Sequence, residues 1–221
     1  MTPSTTAEHM DALNVPIGFL IDLSASKERD ELFQAFARWS AVIMNSDRAT
    51  VAVWNGADGL DILAIEGNQA IATGATMPVE GSLIGRVFKS KTSEICTDFT
   101  AEPHLAEFPR LAAAGLRAVI DVPLVVGDRC FGALAAGYVA PADATSDRRL
   151  ILESIAGCLA SYMLMHEQLQ KLSEQSIRDA LTVLQSAPLR IVSPSGVGRL
   201  GNLANPLLTR HRRPRSLQTD Q

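Results

Sequence analysis

The sequence predicts an α+β domain in which helices pack on an antiparallel sheet, and three observations carry that expectation. An apolar run over Ala118–Val126 meets a second, Cys130–Ala140, across the polar turn Gly127-Asp128-Arg129, the pattern of a β-hairpin. Three short runs between Thr50 and Met77 are separated by Asn55–Gly59 and by Gly67–Gln69, which reads as a meander. Helical spacing flanks these strands on both sides, from Lys27 and from Ser146.

The first helix is expected over Lys27–Asn45, where Leu32, Phe33, Phe36, Trp39, Ser40 and Ile43 recur at helical spacing. Ser26 offers an N-cap, with Glu28 and Asp30 in the first turn. Strands follow at Thr50–Trp54, Leu60–Glu66 and Ala70–Met77. Gly81-Ser82 opens a short helix, Leu83–Ser90, with Ile84 and Phe88 facing inward. Glu94–Thr97 reads as a short strand, and Glu102–Ala114 as a loop with one or two helical turns.

Little alternation interrupts Ala118–Val126, so both faces of that strand should be covered. In the second run Gly132 and Gly137 mark places where a bulky side chain would block a neighbouring backbone or a ligand. A long helix then begins, with Ser146 as its cap and Asp147 in its first turn. Along it Leu152, Ile155, Leu159, Tyr162, His166 and Leu169 form a heptad seam of fewer than three full heptads. Over Ser146–Met163 that stripe suits either a coiled coil or packing on the sheet. Over His166–Ile177 the polar surroundings favour a coiled coil.

Two segments, GSLIGRVFKSKTSEICTD (from Gly81) and LRAVIDVPLVVGDRCFGAL (from Leu116), stand in the order and spacing of a known family. The chain resembles the GAF domains, small-molecule sensing modules, over roughly Leu13–Leu172. The resemblance implies a GAF/PAS-like antiparallel sheet with the N- and C-terminal helices on one face. A ligand pocket closed by small helices and loops would lie on the other. It assigns residues 13–165 to the GAF domain, residues 1–12 to a disordered N-terminus and residues 166–182 to a helical coiled-coil linker. It further implies a homodimer formed through the terminal helices.

Ile177-Arg178-Asp179-Ala180-Leu181-Thr182 resembles the opening of a GGDEF diguanylate cyclase domain, and the match stops after Thr182, where Val183 replaces the expected glycine. No Gly-Gly-Asp-Glu-Phe follows. Residues 183–221 hold four prolines and six arginines with Asp220 as their single acid, which reads as a disordered tail or an out-of-frame translation. The output domain implied by the remnant is a lost diguanylate cyclase.

Composition narrows the remaining classes. The chain has 221 residues, 47% of them hydrophobic, enough for one domain with extensions. From Leu181 onward the charge is about +5 and elsewhere about −9, so the acidic body argues against nucleic acid. No uninterrupted apolar run suits a membrane span, and the N-terminus lacks a signal-peptide pattern. Cys96, Cys130 and Cys158 are odd in number and set among apolar neighbours, which points to reduced, buried thiols and a cytoplasmic protein.

No catalytic motif or metal-ligand spacing occurs among the four histidines and three cysteines. Asp121, a carboxylate inside an apolar strand, either faces a pocket as a hydrogen-bond acceptor or sits at a strand end, in solvent or paired with Arg117. The resemblance implies that Asp98, Phe99, His104, Phe108 and Arg117 line the pocket mouth. It leaves the ligand and any cofactor unnamed. The Asn-Lys pair of cyclic-nucleotide-binding relatives and the Cys-His pair that carries bilins are missing. Two alternatives stay open: a ligand-free structural dimerisation module, and a free methionine-sulfoxide reductase using Cys96 and Cys130.

Overall fold

The computed structural model describes residues 15–26 and 28–186. Its elements are α1 (Ile17–Ala25), α2 (Arg29–Met44), β1 (Arg48–Trp54), β2 (Gly59–Gly67), β3 (Thr76–Pro78), α3 (Leu83–Ser90), β4 (Glu94–Cys96), α4 (Phe108–Ala113), β5 (Ala118–Val126), β6 (Arg129–Tyr138) and α5 (Ser146–Ser186). The strands form one antiparallel sheet in the order β3-β2-β1-β6-β5-β4. The expected α+β architecture is present.

Strand parity decides which side chains reach which layer, because successive residues point to opposite faces. On β5, Ala118, Ile120, Val122 and Leu124 pack with Phe33, Phe36, Leu152, Ile155 and Leu159 of α2 and α5. Val119, one residue out of phase, joins Ile84, Phe108, Leu111 and Leu116 in a second apolar layer. Both faces of β5 are therefore covered, as its unbroken apolar run implies. That second layer is the one with the cavity.

Three details of the helix boundaries differ from the sequence reading. Ser26 does not start α2; it ends α1, its hydroxyl and amide both donating to the Asp22 carbonyl (2.8 and 3.0 Å). A local cap signal cannot say which of two abutting helices it serves. At the start of α2 the Glu31 carboxylate instead accepts from the Glu28 amide (3.4 Å). Likewise Thr145, not Ser146, caps α5 by accepting from the Arg148 amide (3.3 Å).

The segment Ala70–Ala75, expected to be strand, is mostly loop, because Gly74 turns at φ +83° and only Thr76–Pro78 pairs with β2. At the hairpin, Val126 pairs directly with Arg129, leaving a two-residue turn of Gly127 and Asp128. The glycine reading holds at Gly132, where a Cβ would lie 2.0 Å from the Ala52 carbonyl oxygen of β1. No larger residue fits there without moving a central strand.

Along α5, Leu152, Ile155 and Leu159 are buried against the sheet, so this stretch packs on the domain. Leu169 and Leu172 are 58% and 62% exposed. Residues up to Ser176 form one unit, and those from Ile177 belong to a second, of which the helical backbone to Ser186 is described. The helix thus runs past the expected 182/183 boundary. The proposed disordered N-terminus, and the tail beyond Ser186, lie outside the described residues.

Candidate functional site

Two rows of facing residues cross β1, β6, β5 and β4, and their members on β1, β6 and β5 form the floor of a cavity. In the first, Arg48 pairs with Gly137, Gly137 with Val119, and Val119 with Cys96. In the second, Thr50 pairs with Ala135, Ala135 with Asp121, and Asp121 with Glu94. The small residues at the centre, Gly137 and Ala135, leave space above the sheet. Ile84, Glu107, Leu111 and Leu116 wall it, and the cavity measures about 40 Å³. That is room for roughly three water molecules.

The cavity is apolar apart from its ionisable and hydroxyl lining groups, and these are all buried. Asp121 is 3% exposed, and its Oδ1 has no hydrogen-bond partner. Burial pushes its carboxyl well above the usual range, Glu107 and Glu94 add to the rise, and Arg86 opposes it. Glu107 accepts from the Leu83 and Ile84 amides (2.6 and 3.2 Å) with Oε1, at the start of α3, while its Oε2 is unpartnered. Burial raises its pKa too.

Arg48, 4% exposed, donates to the carbonyls of Asn68 and of Ile71 (2.9 Å for the latter). Among the described residues no carboxylate pairs with it. Desolvation alone brings its guanidinium down to about 10.

One wall is tied by charge. Arg86 of α3 holds Glu94 of β4 with two nitrogens (2.7–3.0 Å) and reaches Glu102 at 2.6 Å. The fork geometry of guanidinium allows both contacts at once. Arg86 is accordingly raised above its ordinary value, and Glu102 lowered.

The six residues expected to bind a ligand separate into three groups. Asp121 lines the cavity; it neither faces solvent nor pairs with Arg117. Phe99 and Phe108 are buried and stacked on each other (4.4 Å between centroids) in the apolar layer that includes the wall residues. Asp98, His104 and Arg117 are exposed and do not line the cavity. Asp98 serves its own loop, accepting from the Thr100 amide and hydroxyl (2.9 and 2.6 Å).

Sequence reasoning missed Arg48, Thr50 and Glu107. Arg48 reads as a polar residue before a strand, and Glu107 as one more acid in a loop. Only the fold brings them to one place.

The cysteines also differ from expectation. Cys158 is exposed, and Cys96 and Cys130 are half-buried, because α5 presents Cys158 away from its packed face. Cys96 faces Val119 and Cys130 faces Val125, six residues apart on β5. That places them roughly 20 Å apart along the strand direction, too far to act as a pair. Burial pushes both thiols up, away from the reactive thiolate. No group of three or more metal-binding side chains occurs among the described residues.

The GAF domain family model matches residues 28–162. The chain belongs to the GAF family. GAF domains are generally sensory and non-catalytic, and membership of the family is consistent with a signalling role. The GAF domain of a phosphoenolpyruvate-protein phosphotransferase from Coxiella burnetii is similar, with 12% identity over 70% of this chain and 94% of that one, at a TM-score of 0.62. A second similar structure is the GAF-B domain of DevS from Mycobacterium smegmatis, 20% identical over 63% of this chain and 96% of its own (TM-score 0.53). A third is the free methionine-R-sulfoxide reductase of Neisseria meningitidis, determined with its substrate, 18% identical over 70% and 89% (TM-score 0.59). These likenesses extend to the fold. No curated protein matches the chain. No helix among the described residues is long and apolar enough to cross a membrane.

Proposed function

We propose that this chain is a cytoplasmic, non-catalytic sensor that binds a small polar molecule in the cavity between the sheet and α3–α4. The supporting observation is a pair of buried carboxyl oxygens, on Asp121 and Glu107, that the protein leaves without partners beside open space. A buried polar group without a partner costs about 1–3 kcal/mol, and a ligand that satisfies it recovers that cost.

The route out of the site is short. Ala135, Gly137, Val119 and Asp121 face the cavity, while their chain neighbours Ala136, Tyr138, Ile120 and Val122 pack in the layer with α5. A ligand with different affinity for two sheet–helix packings would shift the population between them. Helix α5 would carry the change towards Ile177–Thr182, the GGDEF-like remnant, whose ancestral output would be a diguanylate cyclase. Exposed Leu169 and Leu172 would pair with a second copy in a parallel or antiparallel dimer coil.

Native mass spectrometry of protein purified from its own cells tests this reading. A reproducible bound mass, lost in Asp121→Ala, is the expected result. A wild-type protein with no added mass, whose cavity amides do not respond to a metabolite extract, would instead indicate a ligand-free dimerisation module. Turnover of free methionine sulfoxide that depends on Cys96 or Cys130 would replace the sensor by an enzyme.

A further inference from the structure

Away from the cavity, on the helix side of the sheet, a groove opens between α2 and α5. Its floor is Val53 of β1 and Phe131 of β6, on neighbouring strands where Val53 pairs with Gly132. Arg29 and Phe33 of α2 stand on one side, Tyr162 and His166 of α5 on the other, and the Asn55-Gly56 turn forms the rim. Its volume is about 560 Å³, inside the roughly 300–1,000 Å³ that small-molecule sites occupy. We infer that this groove is a binding site separate from the cavity, and that it takes a planar aromatic carboxylate.

The lining sets that chemistry. Phe33, Val53, Phe131 and Met163 are buried and make the deep part of the groove apolar. Two guanidinium planes lie on its rings, Arg29 over Phe33 at 5.1 Å from the centroid and Arg129 over Phe131 at 4.6 Å. A guanidinium stacks well on flat π surfaces, so each plane offers its other face to a planar group. Tyr162 and His166, one turn apart on α5, are stacked too, at 6.2 Å.

The two arginines differ in charge balance. Arg129 donates to both oxygens of Glu167 (2.8 and 3.2 Å). Arg29 is exposed, and no carboxylate pairs with it among the described residues. Taken together, Arg29, Arg129 and Glu167 leave one positive charge unbalanced. An aliphatic anion would answer that charge and leave the rings unused. An aromatic amine would set a second cation beside Arg29, and a neutral aromatic would leave Arg29 unanswered. An aromatic carboxylate serves both, with its two oxygens matched to the guanidinium fork.

The groove also lies where α5 leaves the sheet, between buried Met163 and exposed Leu169. An occupant touching both Phe131 and Tyr162 would favour the packing in which this part of the helix rests on the domain.

The full chain, labelled with ¹⁵N, is titrated with naphthoate, and separately with cyclohexanecarboxylate, naphthamide and naphthylmethylammonium. The amides of Gly56, Phe131 and His166 report on the groove, and those of Asp121 and Ala135 on the cavity. Naphthoate should shift the groove amides and bind about tenfold or more tightly than each of the other three. Arg29→Gln should weaken that binding about tenfold with an unchanged Tm, since its side chain is exposed.

Equal binding of cyclohexanecarboxylate or naphthamide overturns the inference, and so does naphthoate binding that Arg29→Gln leaves unaltered. Groove amides that ignore naphthoate overturn it as well. If those amides shift on dilution instead, the face is a contact between copies of the chain. Naphthoate that moves only the cavity amides also overturns it, and leaves the sensory reading of the cavity standing.

Discussion

Asp121 of β5 and Glu107 at the start of α4 each present a carboxyl oxygen without a partner at one cavity, and Glu107 makes Asp121 harder to ionise. Of the two, Asp121 is the more isolated. Glu107 keeps two backbone amides at Oε1, whereas no hydrogen bond holds Oδ1 of Asp121. The folded protein without ligand is therefore most comfortable with a proton on Asp121.

A pH dependence follows, and its sign is fixed by the direction of that shift. The Asp121 pKa is higher in the folded state than in the unfolded chain. Its contribution is complete below the unfolded carboxylate range near pH 4. It declines as pH rises through the interval up to the folded pKa. The loss amounts to at most about 1.4 kcal/mol per pH unit for a single proton. Asp121→Asn should flatten the fall in Tm between pH 4 and pH 7, measured by differential scanning calorimetry. An unchanged slope would mean that Asp121 ionises freely in the fold.

Two glycines should respond in opposite directions to alanine. At Gly132 the new methyl would lie 2.0 Å from the Ala52 carbonyl oxygen and 2.8 Å from the Val53 Cα, both backbone atoms of a central strand. Gly132→Ala should cost 2 kcal/mol or more, on the order of the larger strain effects known. Gly157, in α5, meets nothing within 4 Å. Gly157→Ala should stabilise by roughly 0.5–1 kcal/mol through helix propensity. Urea unfolding of both variants checks the pair.

Arg86 should not tolerate lysine. A single ammonium cannot reproduce the simultaneous contacts to Glu94 and Glu102. The pair is partly exposed, so Arg86→Lys should cost no more than about 1 kcal/mol. The larger effect should be local, with faster hydrogen exchange in β4, Glu94–Cys96, than in β5. Equal protection in both proteins would show that backbone pairing alone holds β4.

What the sequence made legible was what depends on local pattern. The hairpin, the short helix Leu83–Ser90 and the double burial of β5 follow from apolar period and turn residues, and β5 begins and ends where the apolar run does. The oddity of Asp121 was visible as one charge in an apolar run. Its company was not, since Arg48, Glu107 and Asp121 come together only through strand register and a loop. Helix α1 was also missed; Ile17, Leu20 and Ile21 are exposed, so its nine residues show no amphipathic period to find. Its attachment is tertiary, through Phe19 on Phe36 and the Asp22 carboxylate, which accepts from the Trp39 indole (2.7 Å) and Arg38 (2.5 Å).

The long helix α5 allows the two roles of its heptad stripe to be separated by mutation. Leu159 is fully buried in the layer beneath the sheet. Leu159→Ala should therefore destabilise the domain by about 2–5 kcal/mol, whatever the oligomeric state, as large-to-small core substitutions do. Leu169, ten residues later on the same stripe, is 58% exposed and contributes no comparable burial within one chain. Leu169→Ala combined with Leu172→Ala should leave the unfolding midpoint of a dilute, monomeric sample within about 0.5 kcal/mol. If the helix pairs with a second copy beyond Met163, the same double substitution should shift sedimentation equilibrium towards monomer. A loss of monomer stability comparable to that of Leu159→Ala would place these leucines in the domain core and remove the pairing surface altogether.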